Sequence, residues 1–429
     1  MGVFDKIFGY SAIKEELRQI SDMLRCSAPY DKLGVTAPRG LLLYGEPGVG
    51  KSMMASAVIE ESGRRAFTCR KDSPNGDFVK KIKSIFEQAA ENAPAIVYLD
   101  DMDKFANEDM HHPDAEEYVT VQSCIDEVKD KQVFVLATAN DIHCLPDSLC
   151  RAGRFDRKIK VSAPRGRDAE KIIAHFLNSK NFVSEVDSGV IARMLDGHSC
   201  AELESIINTA GVYAGYERVE QITMQHFIKA YVRTMSDFPL EDDTRRDSAS
   251  NQLILHVAYH EAGHAVISEV LRPESVSFIS AYSQKNECEG FTHFYDDHSR
   301  TPLYWKISSI IVALGGMAAV EQKFGVRDMG AESDLIKAFD MAAELVTHTC
   351  INGFHLHSTE GIDSDCLRYK REQAVASEIE RYYQKAKEIL ALNEEFFEKT
   401  AVAITEKHLL TEIDVQRIKS DCKIVPLSI

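Results

Sequence analysis

The sequence predicts an α/β domain built on a parallel sheet, a small helical segment after it, and then a mainly helical second domain. Three observations carry this. Residues 1–164 alternate short apolar runs with amphipathic stretches, the pattern of a parallel sheet with helices on both faces. Residues 165–235 carry helical periodicity and almost no strand signal, as a small helical lid would. Residues 251–429 are again helical in period, with one strand-like patch at 275–281. Between them, residues 236–250 are polar, charged and proline-marked, and read as a linker.

The expected strands of the first domain are residues 40–44, 66–69, 95–100, 133–139 and 158–162, each a run of mostly apolar residues. Amphipathic stretches such as 78–90 lie between them. Near the C-terminus, residues 377–404 carry one long helical period with mixed charges on the polar side. No internal repeat is visible.

With 429 residues the chain can bury two or three cores, and 44% hydrophobic with 27% charged residues is ordinary for a globular protein. A net charge of −17 argues against nucleic acid as a partner, because binding phosphates needs a concentrated basic face. The ten cysteines form no CxxC pair and read as reduced cytoplasmic thiols. No run reaches the ~20 apolar residues of a membrane span. The nearest, 310–320, is rich in Gly and Ala and reads as a buried helix. The first six residues lack the basic and apolar regions of a signal peptide.

Gly45-Glu46-Pro47-Gly48-Val49-Gly50-Lys51-Ser52 fits G-x-x-x-x-G-K-[ST], after an expected strand and before a helical stretch, which is the context that motif requires. Backbone N–H groups of such a loop wrap phosphates at a helix N-terminus. Lys51 would reach the β and γ phosphates of ATP, and the Ser52 hydroxyl would ligate Mg²⁺. The run 95–101 ends in Asp100, suited to the Mg²⁺ shell, and Asp101, placed to polarise an attacking water. The bland alternative is two acids that merely end a strand. Asn140 closes the run 133–139 and is placed to orient the same water. Arg151 and Arg154 could supply positive charge to a neighbouring subunit's γ-phosphate, where an arginine cluster is otherwise a solvated face.

The second half carries His260-Glu261-Ala262-Gly263-His264. On a helix, histidines four residues apart share one face and can hold Zn²⁺, with the glutamate between them placed to accept a proton from water. His256 lies a further four residues upstream and reads as a neighbouring or surface histidine. His111 and His112 fall in a polar loop and read as solvent-exposed.

Taken together the motifs resemble the FtsH family of AAA+ zinc proteases. The order of the P-loop, Asn140, the Arg151-Ala152-Gly153-Arg154-Phe155-Asp156-Arg157 box and Gly197-His198-Ser199-Cys200-Ala201-Glu202-Leu203 is that of the family. Its H-E-A-G-H is matched letter for letter, and Leu314-Gly315-Gly316-Met317-Ala318-Ala319 is similar to its L-G-G-R-A-A. The resemblance implies a five-stranded parallel sheet with a helical lid, a homo-hexameric ring acting on polypeptide substrates, and a nucleotide contact at Ala201. It also implies a third zinc ligand in Gly330-Ala331-Glu332-Ser333-Asp334, namely Asp334, with Glu261 as general base. The implied fold is an α/β AAA+ ATPase followed by a mainly α-helical zinc peptidase domain. The implied activity is ATP-dependent proteolysis. A weakly hydrolysing chaperone-like module, or a short-peptide zinc peptidase with the ATPase as scaffold, are the alternatives.

Three departures stand out. The family has transmembrane helices before its ATPase, and this sequence starts almost at the ATPase, so a soluble, cytoplasmic ring without a transmembrane anchor is expected. The family's glutamate base is Asp101 here, about 1.5 Å shorter in reach, which predicts slow hydrolysis. The substrate-gripping loop is shortened; Phe78-Val79 is either the grip or the first core residues of the following helix, and Lys80 replaces its glycine.

Overall fold

The computed structural model describes residues 2–72, 75–106, 115–151, 153–183, 186–235, 248–284, 287–295, 302–327, 329–353, 356–357 and 364–427. His111, His112, Ala152 and residues 236–247 of the expected linker lie outside them. Its contacts divide the chain into two compact units, Met1–Ala230 and Tyr231–Ile429.

In the first unit, α1 (Ser11–Arg25) and α2 (Ala28–Asp31) precede β1 (Gly40–Tyr44), α3 (Lys51–Ser62), β2 (Arg65–Cys69), α4 (Asn75–Glu91), β3 (Ala95–Leu99), α5 (Glu116–Glu127), β4 (Val133–Ala139) and β5 (Arg157–Lys160). The helices α6 (Gly166–Leu177), α7 (Ser188–Met194) and α8 (Cys200–Tyr216) follow, and the boundary between the units falls within α9 (Met224–Met235). The five strands pair in parallel in the order β2-β3-β4-β1-β5. Strands β3 and β4 are buried along their whole length, which is why they read as unbroken apolar runs. On α4, Phe78, Ile82, Ile85, Phe86 and Ala89 recur at helical spacing and pack with the β3 and β4 side chains in one core. Register pairs Tyr44 with Ala139 and Leu99 with Ala137. The segments that follow β1, β3 and β4 therefore leave the same edge of the sheet, where ligands of open α/β sheets bind.

The second unit contains α10 (Ser248–Leu271), β6 (Val276–Gln284), β7 (Glu287–Phe294), α11 (Pro302–Ala313), α12 (Gly315–Phe324), α13 (Glu332–Glu344), α14 (Asp365–Leu392), α15 (Glu394–Lys407), β8 (Leu409–Thr411) and α16 (Glu412–Ser420). Helix α10 is its axis. Ala258, Ala262, Ala265, Val266, Ile267 and Val270 are all buried, so most of the helix surface packs into the core of this unit. It packs on α12, α15 and the antiparallel sheet β7-β6-β8. The approach to α12 is set by two glycines: a Cβ on Gly263 would lie 2.4 Å from the Gly315 carbonyl oxygen.

Two expectations need correction here. Sequence periodicity places one strand in this half, and the described residues hold three. Strand β7 carries Glu287, Glu289 and Gly290 and so lacks an alternating pattern, while β8 is three residues long. The single helix expected over 377–404 is two helices, broken at Asn393, whose buried amide donates to Ile389 O (2.9 Å) and Val425 O (3.2 Å). By length and composition, residues Leu303–Phe324 would suffice to cross a membrane, and 61% of the window is buried inside the protein.

Candidate nucleotide and metal sites

The loop 45–50 joins β1 to α3, which opens with Lys51 and Ser52. Gly48 adopts φ +78, a left-handed conformation that side-chain-bearing residues rarely take, and a Cβ there would meet the Ala201 Cβ at 2.8 Å. Ala201 N in turn donates to Gly48 O (3.1 Å). The start of α8, capped by Ser199 and Glu202, thus rests directly on the phosphate loop. Lys51 is the first residue of α3, and its Nζ donates to Gly45 O (2.6 Å), Glu46 O (2.8 Å) and Asn140 Oδ1 (2.9 Å). Burial holds the Lys51 ammonium below its usual pKa, opposed by the charges of Asp101 and Asp103.

The two acids after β3 differ in their partners. Asp100 Oδ1 accepts from Tyr98 Oη (2.7 Å) and Thr138 Oγ1 (3.0 Å). Asp101 has φ 53 and pairs with Lys104 Nζ at 2.8 Å, with Arg70 at 3.8 Å. Asn140 donates through its backbone N (3.0 Å) and Nδ2 (3.1 Å) to Asp103, and this leaves the Asn140 Oδ1 facing Lys51. The P-loop lysine, both acids and Asn140 are therefore gathered at one edge of the sheet. Arg154 is held within its own chain by Asp126 (2.9 Å) and Ser148 O (2.6 Å), and Arg151 is exposed.

In the second unit, α10 presents His260 and His264 one turn apart, and α13 brings Asp334 to them. Asp334 Oδ2 lies 3.2 Å from each Nε2, and the two Nε2 atoms are 3.0 Å apart. His264 Nδ1 lies 2.7 Å from Val312 O; a carbonyl can only accept, so Nδ1 carries the proton and Nε2 offers its lone pair to the cluster. Three electron-rich atoms converge on one point, the donor chemistry of a divalent cation, and all three ligand atoms lie within 4.8 Å of one another. Burial works against charge on His264, yet Asp334 and Glu261 lift its pKa above the usual imidazole value. Burial likewise opposes ionisation of Asp334, but the two histidines beside it hold its carboxyl well below the usual range. The site attracts positive charge. These residues fit Zn²⁺.

Behind His260, Gly316 leaves the room its ring needs: a Cβ at Gly316 would lie 2.4 Å from His260 Cε1 and Nε2. His256 does not join the cluster; it stacks on Phe324 with ring centroids 3.9 Å apart. Glu261 is buried beside the ligands, and its Oε2 accepts from Thr292 Oγ1 at 2.6 Å. A cleft of about 940 Å³ opens along the cluster, lined also by Gly290–Phe294 of β7 and by Tyr295 after it.

A profile of the ATPase family associated with various cellular activities (AAA) matches residues 41–163, and one of Peptidase family M41 matches residues 248–418. The chain belongs to the FtsH-type AAA+ zinc metalloproteases. The ATP-dependent zinc metalloprotease FtsH of Pelobacter propionicus is 28% identical over 447 residues, covering 97% of this chain and 70% of that protein. The protein of the same name from Ureaplasma parvum serovar 3 is 28% identical over 438 residues, covering 97% and 60%. That from Thermus thermophilus is 28% identical over 451 residues, covering 97% and 70%. This FtsH-type chain thus spans between 60% and 70% of the length of these relatives.

Several neighbours of the FtsH-type sites escape motif reading. Thr138 and Tyr98 sit inside apolar strand runs and carry no pattern of their own. Asp103 stands two residues beyond Asp101, and its spacing from that acid is the only signal. Thr292 lies in β7, which periodicity misses. Phe78 is settled as a core residue: it is fully buried and meets Phe105 edge-on at 4.8 Å. Phe78→Ala is expected to destabilise the first unit by about 3–5 kcal/mol. Denaturant unfolding checks this, and a variant as stable as the parent would refute the core assignment.

Proposed function

We propose that this chain is an ATP-dependent zinc metalloprotease that uses ATP hydrolysis to drive polypeptides to a peptide-bond-cleaving site. The observation that carries the proposal is the convergence of His260, His264 and Asp334 beside Glu261, in a chain that also gathers Lys51, Asp100, Asp101 and Asn140 at a phosphate loop. His260, His264 and Asp334 would hold Zn²⁺. When bound there, zinc supplies Lewis acidity, lowering the pKa of water towards about 7 and polarising a carbonyl. Glu261 acts as general base and then hands its proton to the leaving amine. In the first unit, residues 45–52 cradle ATP, Lys51 neutralises its terminal phosphates, and Ser52 with Asp100 hold Mg²⁺. Asp101 and Asn140 orient water, and Ala201 ties the lid to the loop.

The working assembly in this reading is a homo-hexamer, in which Arg151 and Arg154 reach a neighbour's nucleotide. It acts on polypeptides in the cytoplasm, an assignment supported by the spacing of its cysteines and by nine free cysteines among the described residues. Degradation of an unstructured protein such as casein tests the proposal. Cleavage should require ATP, stop on removal of zinc by a chelator, and fall about 10²–10⁴-fold in Glu261→Gln. Cleavage indifferent to Glu261→Gln would overturn the zinc assignment.

A further inference from the structure

We propose that Thr292 is the positioning residue for Glu261, and that Gly290 and Thr292 together form the seat of its carboxylate. The inference rests on the reading of Glu261 as general base. Residues 290 and 292 lie two apart on β7 and so face the same side of the sheet. That side meets α10 at Glu261. Thr292 Oγ1 donates to Glu261 Oε2 at 2.6 Å and lies 3.4 Å from the Glu261 carbonyl oxygen. The other carboxylate oxygen, Oε1, occupies the space above Gly290: a Cβ there would stand 2.3 Å from it. Any residue larger than glycine would displace the carboxylate.

Glu261 and Thr292 are buried, with 5% and 9% exposure, and a buried carboxylate needs donors. A threonine hydroxyl has one proton, and here it goes to Oε2. That bond fixes the orientation of the Glu261 carboxylate from the Oε2 side. Both β7 residues line the cleft that holds His260, His264 and Asp334, so the strand that borders substrate also fixes the base. Glutamate side chains are long and have many rotamers. A base left to wander by 1 Å loses about 100-fold in rate. Thr292 and Gly290 remove that freedom from opposite oxygens of the same group.

The test is cleavage of a fluorogenic unstructured peptide by the full chain with ATP, for the parent, Thr292→Val, Thr292→Ser, Gly290→Ala and Glu261→Gln. Valine keeps the shape of threonine and removes the donor. In Thr292→Val, kcat should fall about 10–100-fold while KM and bound zinc stay at parental values. Serine restores the donor and should recover most of the loss. Gly290→Ala pushes the carboxylate from the other side and should lower kcat comparably, again at unchanged zinc content. Metal content and melting temperature measured on the same preparations identify a variant that has failed to fold, and the remaining variant then decides. The proposal is overturned if a folded, zinc-loaded Thr292→Val or Gly290→Ala cleaves within twofold of the parent. If instead Glu261→Gln cleaves like the parent, the general-base reading itself falls.

Discussion

Replacing Gly316 by alanine should abolish zinc binding while leaving the fold nearly as stable as before. The added methyl carbon would stand 2.4 Å from His260 Cε1 and Nε2, well inside van der Waals contact. Something must move, and the backbones cannot, because α10 and α12 are already at the limit of approach where Gly263 meets Gly315 O. The movable part is the imidazole, whose rotation relieves the clash at small cost to the core. The atom that swings away is the one aimed at the metal. Alanine in a helix is also favoured over glycine by roughly 1 kcal/mol, which offsets part of the steric cost. Zinc affinity should therefore drop by at least about 100-fold, more than loss of a partner that merely orients a ligand. The melting temperature of the zinc-free variant should stay within a few degrees of the zinc-free parent. Metal analysis after dialysis, paired with thermal melts, checks both halves. A variant that keeps one zinc per chain refutes the argument.

Lengthening Asp101 to glutamate should raise ATP turnover by up to about 100-fold. Two causes would slow hydrolysis at this site: short reach, and diversion of the carboxylate by Lys104 at 2.8 Å. They differ in size. The Lys104 and Asp101 side chains are 59% and 21% exposed, and an ion pair of that kind is worth under about 1 kcal/mol, or less than about fivefold in rate. Reach wins, so Lys104→Met should change turnover far less than Asp101→Glu. The backbone at Asp101, with φ 53, suggests why the shorter acid stands there: aspartate tolerates the left-handed region better than glutamate does. The faster variant should therefore be slightly less stable. Steady-state phosphate release across the two variants settles the matter; equal or lower turnover in Asp101→Glu removes the reach argument.

The first domain is the more legible half because each of its signals is local. Strands β3 and β4 are buried on both faces, so each appears as an unbroken apolar run, and the glycines of residues 45–52 mark the turn between β1 and α3. The residues grouped by motif order, Lys51, Asp100, Asp101 and Asn140, do meet at one sheet edge, because parallel strands all point the same way. The second domain hides more. Strand β7 has no alternation, since one of its faces holds Gly290 and Thr292 against Glu261 rather than a row of apolar side chains. Asn393 breaks a helical period that its neighbours carry on unchanged. Phe78 admits two readings in sequence because an aromatic at a helix start serves a core or a loop equally well; only its burial against Phe105 separates them. Asp334 is recoverable from the family pattern alone, as nothing local marks one acid on α13 as a ligand.

The bond from Ala201 N to Gly48 O has a mechanical consequence. Helix α8 has 17 residues, about 25 Å of rigid rod, and its first turn is pinned to the loop that would hold the phosphates. A rod pinned at one end is a lever. A tilt of about 5° at the loop would carry the far end near Tyr216 through about 2 Å. Tyr216 and Val212 are among the most exposed large side chains of the lid, so a stroke of this kind would reach the surface rather than be absorbed in the core.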